Sequence, residues 1–143
     1  MLKEAIRINK QQLLAEKFGY AEFRPGQETI IDKILNHENV LGIMPTGGGK
    51  SVCYQLPSLM LDGLTLVISP LISLMKDQVD QLNEMGIPAT YINSTLTQEE
   101  TNQRFRQVGQ GEIKLLYVAP ERLASFDFQE MLRYVDLSLL AVD

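Results

Sequence analysis

The residues best equipped for chemistry stand together as Met44-Pro45-Thr46-Gly47-Gly48-Gly49-Lys50-Ser51. The glycines remove Cβ atoms, so that successive backbone N–H groups can turn inward on phosphate oxygens. A lysine directly after them reaches the β- and γ-phosphates of a nucleotide, and a following serine hydroxyl ligates Mg²⁺. The flanks suit such a loop. The apolar run Val40-Leu41-Gly42-Ile43 precedes it and predicts a strand, and the apolar segment from Val52 onward reads as a helix. The N-terminus of that helix adds unpaired N–H groups and the positive end of its dipole. The strict pattern G-x-x-x-x-G-K-[ST] asks for glycine at position 44, where this chain has methionine. The expected ligand is a nucleoside triphosphate, with Thr46, Gly47, Gly48, Gly49, Lys50 and Ser51 as its contacts.

A second feature serves the same chemistry. Leu137-Ser138-Leu139-Leu140-Ala141-Val142 reads as an apolar strand and ends in Asp143. A carboxylate at the C-terminal edge of a strand is what a phosphate-loop ATPase uses to hold its magnesium. Asp143 is therefore expected as the second Mg²⁺ ligand beside Ser51. Because Asp143 is also the last residue, the chain is expected to be a truncated one. His37 is the only histidine, so neither a His–Cys zinc site nor a Ser–His–Asp triad can be built. Cys53 is the only cysteine, which excludes an internal disulfide and fits a reducing compartment. Among Val52, Tyr54 and Leu56 it reads as a packed core thiol. Asn93-Ser94-Thr95 matches a glycosylation acceptor, expected to be a chance match because the first residues carry no apolar run of signal-peptide type.

The elements that position these groups follow from periodicity and turn chemistry. With 143 residues and 45% hydrophobic content, the chain is long enough for one domain with a proper core. No apolar run approaches the length of a membrane span, so no membrane partner is expected and the cytoplasm is the default location. A net charge of −5 argues against a broad basic surface for nucleic acid, but not against a local groove that holds phosphates with backbone amides. Residues 1–17 carry apolar positions at helical spacing, closed by Phe18-Gly19-Tyr20 with glycine at a C′ position. Phe23-Arg24-Pro25-Gly26-Gln27 turns into a second helix, and Asn36-His37-Glu38-Asn39 stops it. Pro57 is expected to break or kink the helix after the loop. Leu64–Ile68 predicts a buried strand, and Ser69 with Pro70 the cap and first position of a helix through Met85. Ala89–Ile92 is a short strand, Thr97–Glu100 a capping box opening a polar helix to about Val108. Ile113–Val118 is the next strand, Ala119–Leu123 a turn into a short helix, and Phe128–Tyr134 a further helical segment. Strands that read as apolar runs and alternate with helices predict an α/β fold, a mostly parallel sheet with helices on both faces. Residues 1–37 form the N-terminal helical region and 38–143 the phosphate-loop core.

Taken together, five stretches in order resemble the RecQ family of DNA helicases within superfamily 2. Phe18-Gly19-Tyr20 with Phe23–Gln27 is similar to the family's motif 0. Residues 44–51 with Cys53-Tyr54-Gln55-Leu56-Pro57 are similar to motif I, which accounts for the methionine at 44. Ser69–Gln78 is similar to motif Ia, Tyr117–Leu123 to motif Ib, and Leu140–Asp143 to the start of motif II. The resemblance implies a RecA-like domain, truncated within motif II. It implies that Tyr20 stacks on adenine, that Gln27 reads the adenine edge, and that Arg24 fixes that pocket or contacts the nucleotide. A glutamine amide does offer the donor and acceptor that an adenine edge needs. From the residues alone, Tyr20 reads equally as a packed aromatic, Gln27 as a solvated helix residue and Arg24 as a surface cation. For DNA the resemblance implies phosphate contacts from Ser69, Pro70 and Ser73, and from Pro120, Glu121 and Arg122. Here a plain helix cap and an ordinary helix start are the rival readings.

The resemblance thus implies the ATP- and Mg²⁺-binding part of a 3′→5′ DNA helicase of repair and recombination, nucleoid-associated when at work. Its partners would be single-stranded or partly duplex DNA and a second RecA-like domain of the same parent chain. Any zinc would belong to the missing C-terminal part. Alone, the chain is expected to be inactive, since it lacks the motif II glutamate and the second domain's arginine finger. The alternatives are another superfamily 2 ATPase such as an RNA helicase, a P-loop kinase or metabolic ATPase, and a non-catalytic nucleotide-binding module.

Overall fold

The computed structural model describes residues 10–45 and 49–143. They form two compact units, Met1–Leu61 and Asp62–Asp143. Each has its own core.

The first unit is helical among its described residues. Its helices are α1 (Lys10–Phe18), α2 (Gln27–Leu35) and α3 (Val52–Met60). Their buried centre is Leu14, Ile31, Val52 and Leu56, with Leu13, Phe18, Phe23, Leu35 and Met60 packed around it. Lys10 ties α1 to α2 through Glu28, at 3.1 Å, and Asp32. Gly19 follows α1 with φ +75°, the left-handed turn the sequence predicts at a C′ position.

Two expectations are corrected here. Val40–Ile43 is not a strand, and Leu41 and Ile43 are each 88% exposed. An apolar run becomes a strand only where a neighbouring edge pairs its N–H and C=O groups, and the described part of this unit contains no strand. Helix α3 is not broken at Pro57 but runs through it to Met60, and Leu61 N–H still donates to the Pro57 carbonyl at 3.0 Å. All of Val52–Ser58 is buried, and that packing outweighs the single hydrogen bond the proline forgoes.

The second unit is a parallel α/β layer structure. Strands β1 (Leu64–Ile68), β2 (Ala89–Ile92), β3 (Leu115–Val118) and β4 (Leu137–Val142) form one sheet in the order β2-β3-β1-β4, every pair parallel. Helices α4 (Ile72–Glu84), α5 (Gln98–Gly109) and α6 (Phe126–Leu132) make the crossovers, with a short 3₁₀ helix, Pro120–Ala124, before α6. Leu64, Leu66, Ile68, Leu116 and Val118 pack from one sheet face onto Val108 of α5 and Phe128 of α6. The alternate residues Thr65, Val67, Leu115 and Tyr117 are buried as well, so β1 and β3 are covered on both sides. Thr65 Oγ1 is the one buried side-chain polar atom among the described residues without a hydrogen-bond partner.

Local signals explain most boundaries. Helix α5 opens with the predicted capping box: Thr97 Oγ1 accepts from Glu100 N–H at 3.1 Å, and Thr97 N–H donates to the Glu100 carboxylate at 3.0 Å. Helix α4 starts later than predicted, at Ile72 rather than Pro70, with Leu71 at the N-cap. The reason is the backbone of Ser69, whose N–H donates to Val118 O at 3.0 Å and so prolongs the line of β1 beside β3. Helix α2 closes with His37 at φ +62°, its N–H donating to Ile34 O and Glu38 N–H to Lys33 O. This is a Schellman closure with histidine where glycine is usual.

Candidate nucleotide site

The turn that carries Lys50 is set by its neighbours on both sides. Gly49 has φ +80°, a conformation that side chains with a Cβ rarely adopt. After it, Ser51 occupies the N-cap of α3, and its carbonyl accepts from Tyr54 N–H at 3.2 Å and Gln55 N–H at 2.8 Å. The Ser51 side chain makes no capping bond, so its hydroxyl keeps its acceptor capacity for another partner. Lys50 is exposed, and its carbonyl accepts from Cys53 N–H at 3.0 Å. An exposed cation and a hydroxyl at a helix start thus come from consecutive residues, a set suited to phosphate oxygens and a hard cation. Thr46, Gly47 and Gly48, the other expected phosphate contacts, lie outside the described residues.

Residues from the start of α2 reach this turn. Gln27, the first residue of α2, is only 3% exposed, which removes its reading as a solvated helix residue. Its Oε1 accepts from Arg24 N–H at 2.8 Å and its Nε2 donates to Gly49 O at 3.0 Å. The partners fix the orientation of the amide, because an N–H demands the oxygen and a carbonyl the nitrogen. A Cβ built on Gly49 would stand 2.3 Å from Gln27 Nε2 and 3.6 Å from Arg24 Cδ. Gly49 is therefore required twice, for its backbone angle and for room. Tyr20 is about half exposed, with the Arg24 guanidinium 5.8 Å from its ring centroid, within cation–π range. Tyr20, Arg24, Gln27 and Gly49 form one continuous chain of contacts. Nothing in the sequence pointed to the Gln27–Gly49 bond, which joins residues 22 apart.

Cys53 lies behind the turn as the predicted packed thiol. Its Sγ is 3.8 Å from Met44 Sδ and 3.9 Å from Gly49 O, and burial pushes the thiol up from its ordinary range.

The second unit gathers the remaining expected residues at the C-terminal ends of its strands. Because β1 lies between β3 and β4, the segments after these three strands are neighbours. Ser69 is bonded to Val118, and Asp143 N–H donates to Ile68 O at 2.9 Å. Ser69 is buried, and its Oγ accepts from Leu71 N–H at 3.2 Å, a local turn rather than a helix cap. Pro70, Ser73, Pro120 and Glu121 are exposed, and Arg122 is half-buried. Pro120 opens the 3₁₀ helix, as a proline at a helix start does. Asn93, at the same end of β2, is buried and accepts from Thr95 N–H at 2.9 Å and Thr95 Oγ1 at 2.6 Å. That gives Asn93 a structural role and replaces the chance glycosylation match. Asp143 is exposed at the end of β4. Lys50 and Ser51 belong to the first unit and Asp143 to the second.

Among the described residues, no group of three or more His, Cys, Asp or Glu side chains could hold a metal ion. A divalent cation here would rely on one or two protein oxygens and on the oxygens of its ligand, the habit of Mg²⁺ on a nucleotide. No helix among the described residues is long and apolar enough to cross a membrane.

The sequence pattern of the DEAD/DEAH box helicases matches residues 24–143. The chain is similar to an ATP-dependent DNA helicase RecQ of Bacillus subtilis (strain 168), 53% identical over 134 residues, covering 93% of this chain and 23% of that protein. A protein of the same description from Haemophilus influenzae is 50% identical over 131 residues, covering 92% of this chain and 21% of its own length. The chain thus spans between a fifth and a quarter of the length of these relatives. Among solved structures, a hypothetical ATP-dependent RNA helicase from Sulfolobus tokodaii superposes with a TM-score of 0.73. It is 20% identical and covers 94% of this chain and 40% of that one, a likeness of fold.

Proposed function

The chain belongs to the DEAD/DEAH box helicase family, and from that premise we propose that it is the ATP-binding part of a motor that unwinds DNA in the 3′→5′ direction. The observation that carries the reading is the Gly49-Lys50-Ser51 turn at the start of α3, in a chain half identical to proteins described as ATP-dependent DNA helicases. The turn, with Thr46, Gly47 and Gly48 before it, would hold the triphosphate. Lys50 would lie against the outer phosphates, where its charge offsets the charge that gathers as the terminal phosphoryl group is transferred. Ser51 would be a ligand of Mg²⁺, which when bound neutralises and orients phosphate oxygens, and Asp143 is a carboxylate of the kind such an ion takes. Tyr20, Arg24 and Gln27 would define the base end, Tyr20 by stacking and Gln27 by a bidentate contact with the adenine edge.

DNA would lie at the strand ends of the second unit. Of the residues there, Ser69 and exposed Ser73 would offer hydroxyls, Glu121 its backbone N–H and Arg122 its guanidinium to a sugar–phosphate backbone, while exposed Pro70 and Pro120, which have no N–H, would make only packing contacts. The formal net charge of −5 argues against a broad basic surface as a rival footprint. A second RecA-like domain in the parent chain would close the nucleotide cleft and supply the transition-state arginine.

The test is stimulation of ATP hydrolysis by the full-length protein. Single-stranded DNA is expected to raise turnover by at least tenfold, with little effect from RNA of the same length. Stimulation by RNA alone would make the protein an RNA-dependent ATPase. Turnover indifferent to both would remove the motor reading.

A further inference from the structure

We propose that Asn83 and Arg104 close the outer edge of β2 against a further strand, and so keep copies of this protein from pairing edge to edge. Strand β2 ends the sheet order β2-β3-β1-β4, with β3 as its one neighbouring strand among the described residues. Within a strand, the N–H and C=O of one residue point to one side and those of the next residue to the other. The Pro88 carbonyl accepts from Lys114 N–H at 2.8 Å, just before β3, so Pro88, Thr90 and Ile92 turn their backbone groups to β3. Those of Ala89 and Tyr91 face outward. An outward row of N–H and C=O groups on an apolar strand is a template for a strand of another chain.

Side chains from the helices before and after β2 occupy that row. Asn83, in the last turn of α4, donates from Nδ2 to Ala89 O at 3.1 Å and accepts at Oδ1 from Ala89 N–H at 3.0 Å. One carboxamide thus stands where the backbone of a neighbouring strand would bond to Ala89. From α5, the Arg104 guanidinium donates to Tyr91 O at 2.7 Å and stacks 4.3 Å from the Tyr91 ring centroid. Asn83 is exposed, so water could serve both its amide and the Ala89 backbone, and its two bonds add little to the fold. Their larger effect is on the edge. A strand that docks there must break three hydrogen bonds and move a charged side chain before it makes bonds of its own.

The test is self-association of the full-length protein, measured by sedimentation velocity over a wide range of concentration, with hydrogen exchange of residues 86–93 followed alongside. The wild type is compared with Asn83→Ala/Arg104→Ala and with Asn83→Ala alone. Alanine removes the hydrogen bonds, suits a helix and adds no large apolar surface, and circular dichroism checks the fold. In the double variant the self-association constant is expected to rise about tenfold or more, the scale of one or two new hydrogen bonds between copies. Residues 86–93 should exchange faster than in the wild type when dilute and regain protection when concentrated, as a second copy's β2 replaces the lost partners. Adding Tyr91→Pro, which removes an outward N–H, is expected to return association to the wild-type level. A folded double variant no more associated than the wild type would overturn the proposal. So would association that Tyr91→Pro leaves unchanged, since it would then use another surface. If the double variant does not fold, Asn83→Ala alone decides: concentration-dependent protection of residues 86–93 supports the proposal, and wild-type association overturns it.

Discussion

Gly49 shows how much of the site resides in single residues. The run of glycines before Lys50 announces a phosphate-binding turn, because only backbone without Cβ can present successive N–H groups to one anion. What the run does not announce is that Gly49 also makes room for Gln27, a residue 22 positions earlier. Periodicity and motif spacing report neighbours along the chain, and this contact depends on how α2 and α3 pack. Gln27 and Tyr20 were accordingly ambiguous in the sequence. Burial removes the solvated reading of the first, while Tyr20 stays half exposed. The Gly49→Ala variant combines a left-handed backbone angle with the loss of the Gln27 bond. It is expected to destabilise the full-length protein by roughly 2–3 kcal/mol, measured by urea denaturation. ATP affinity should fall with it. A variant as stable as the wild type, with unchanged affinity, would mean that neither the angle nor the contact matters.

Elements were legible wherever the signal was local. The capping box of α5, the glycine after α1 and the apolar strands of the second unit formed where the sequence put them, except that β3 starts at Leu115 rather than Ile113. The misses have a common cause, which is a partner elsewhere in the chain. Val40–Ile43 has a strand's composition but no described edge to pair with, and α4 gives up two residues because Ser69 bonds to Val118. Pro57 stays within α3 because the helix is buried along most of its length. His37 is the reverse case, a conformation that propensity does not favour but that the end of α2 demands, at φ +62°. His37→Gly removes the Cβ strain, at the cost of a more flexible unfolded chain. It is expected to stabilise by about 1 kcal/mol, read as a rise of a few degrees in the thermal midpoint. An unchanged or lowered midpoint would show that the histidine side chain compensates for its own backbone.

At the scale of the molecule, two compact units divide the expected roles. The first holds Lys50, Ser51 and the Tyr20–Gln27 group; the second holds Asp143 and the strand-end residues assigned to DNA. Both rest on cores that composition alone permits, yet the sheet order β2-β3-β1-β4 had to come from the structure, since apolar runs do not say which neighbour each strand takes. With a fifth to a quarter of the relatives' length, the chain holds the groups proposed to grip a nucleotide, and the proposed motor needs the rest of its parent. The central claim is that Lys50 serves a phosphate site whose turnover answers to DNA. The direct measurement is phosphate release by the full-length protein, wild type and Lys50→Ala, with and without single-stranded DNA. The account predicts DNA-stimulated release in the wild type and at most about a hundredth of it in Lys50→Ala, the scale on which a lost electrostatic contact to the transition state is felt. DNA binding without nucleotide should be largely retained in that variant. Near-normal release from Lys50→Ala would contradict the account.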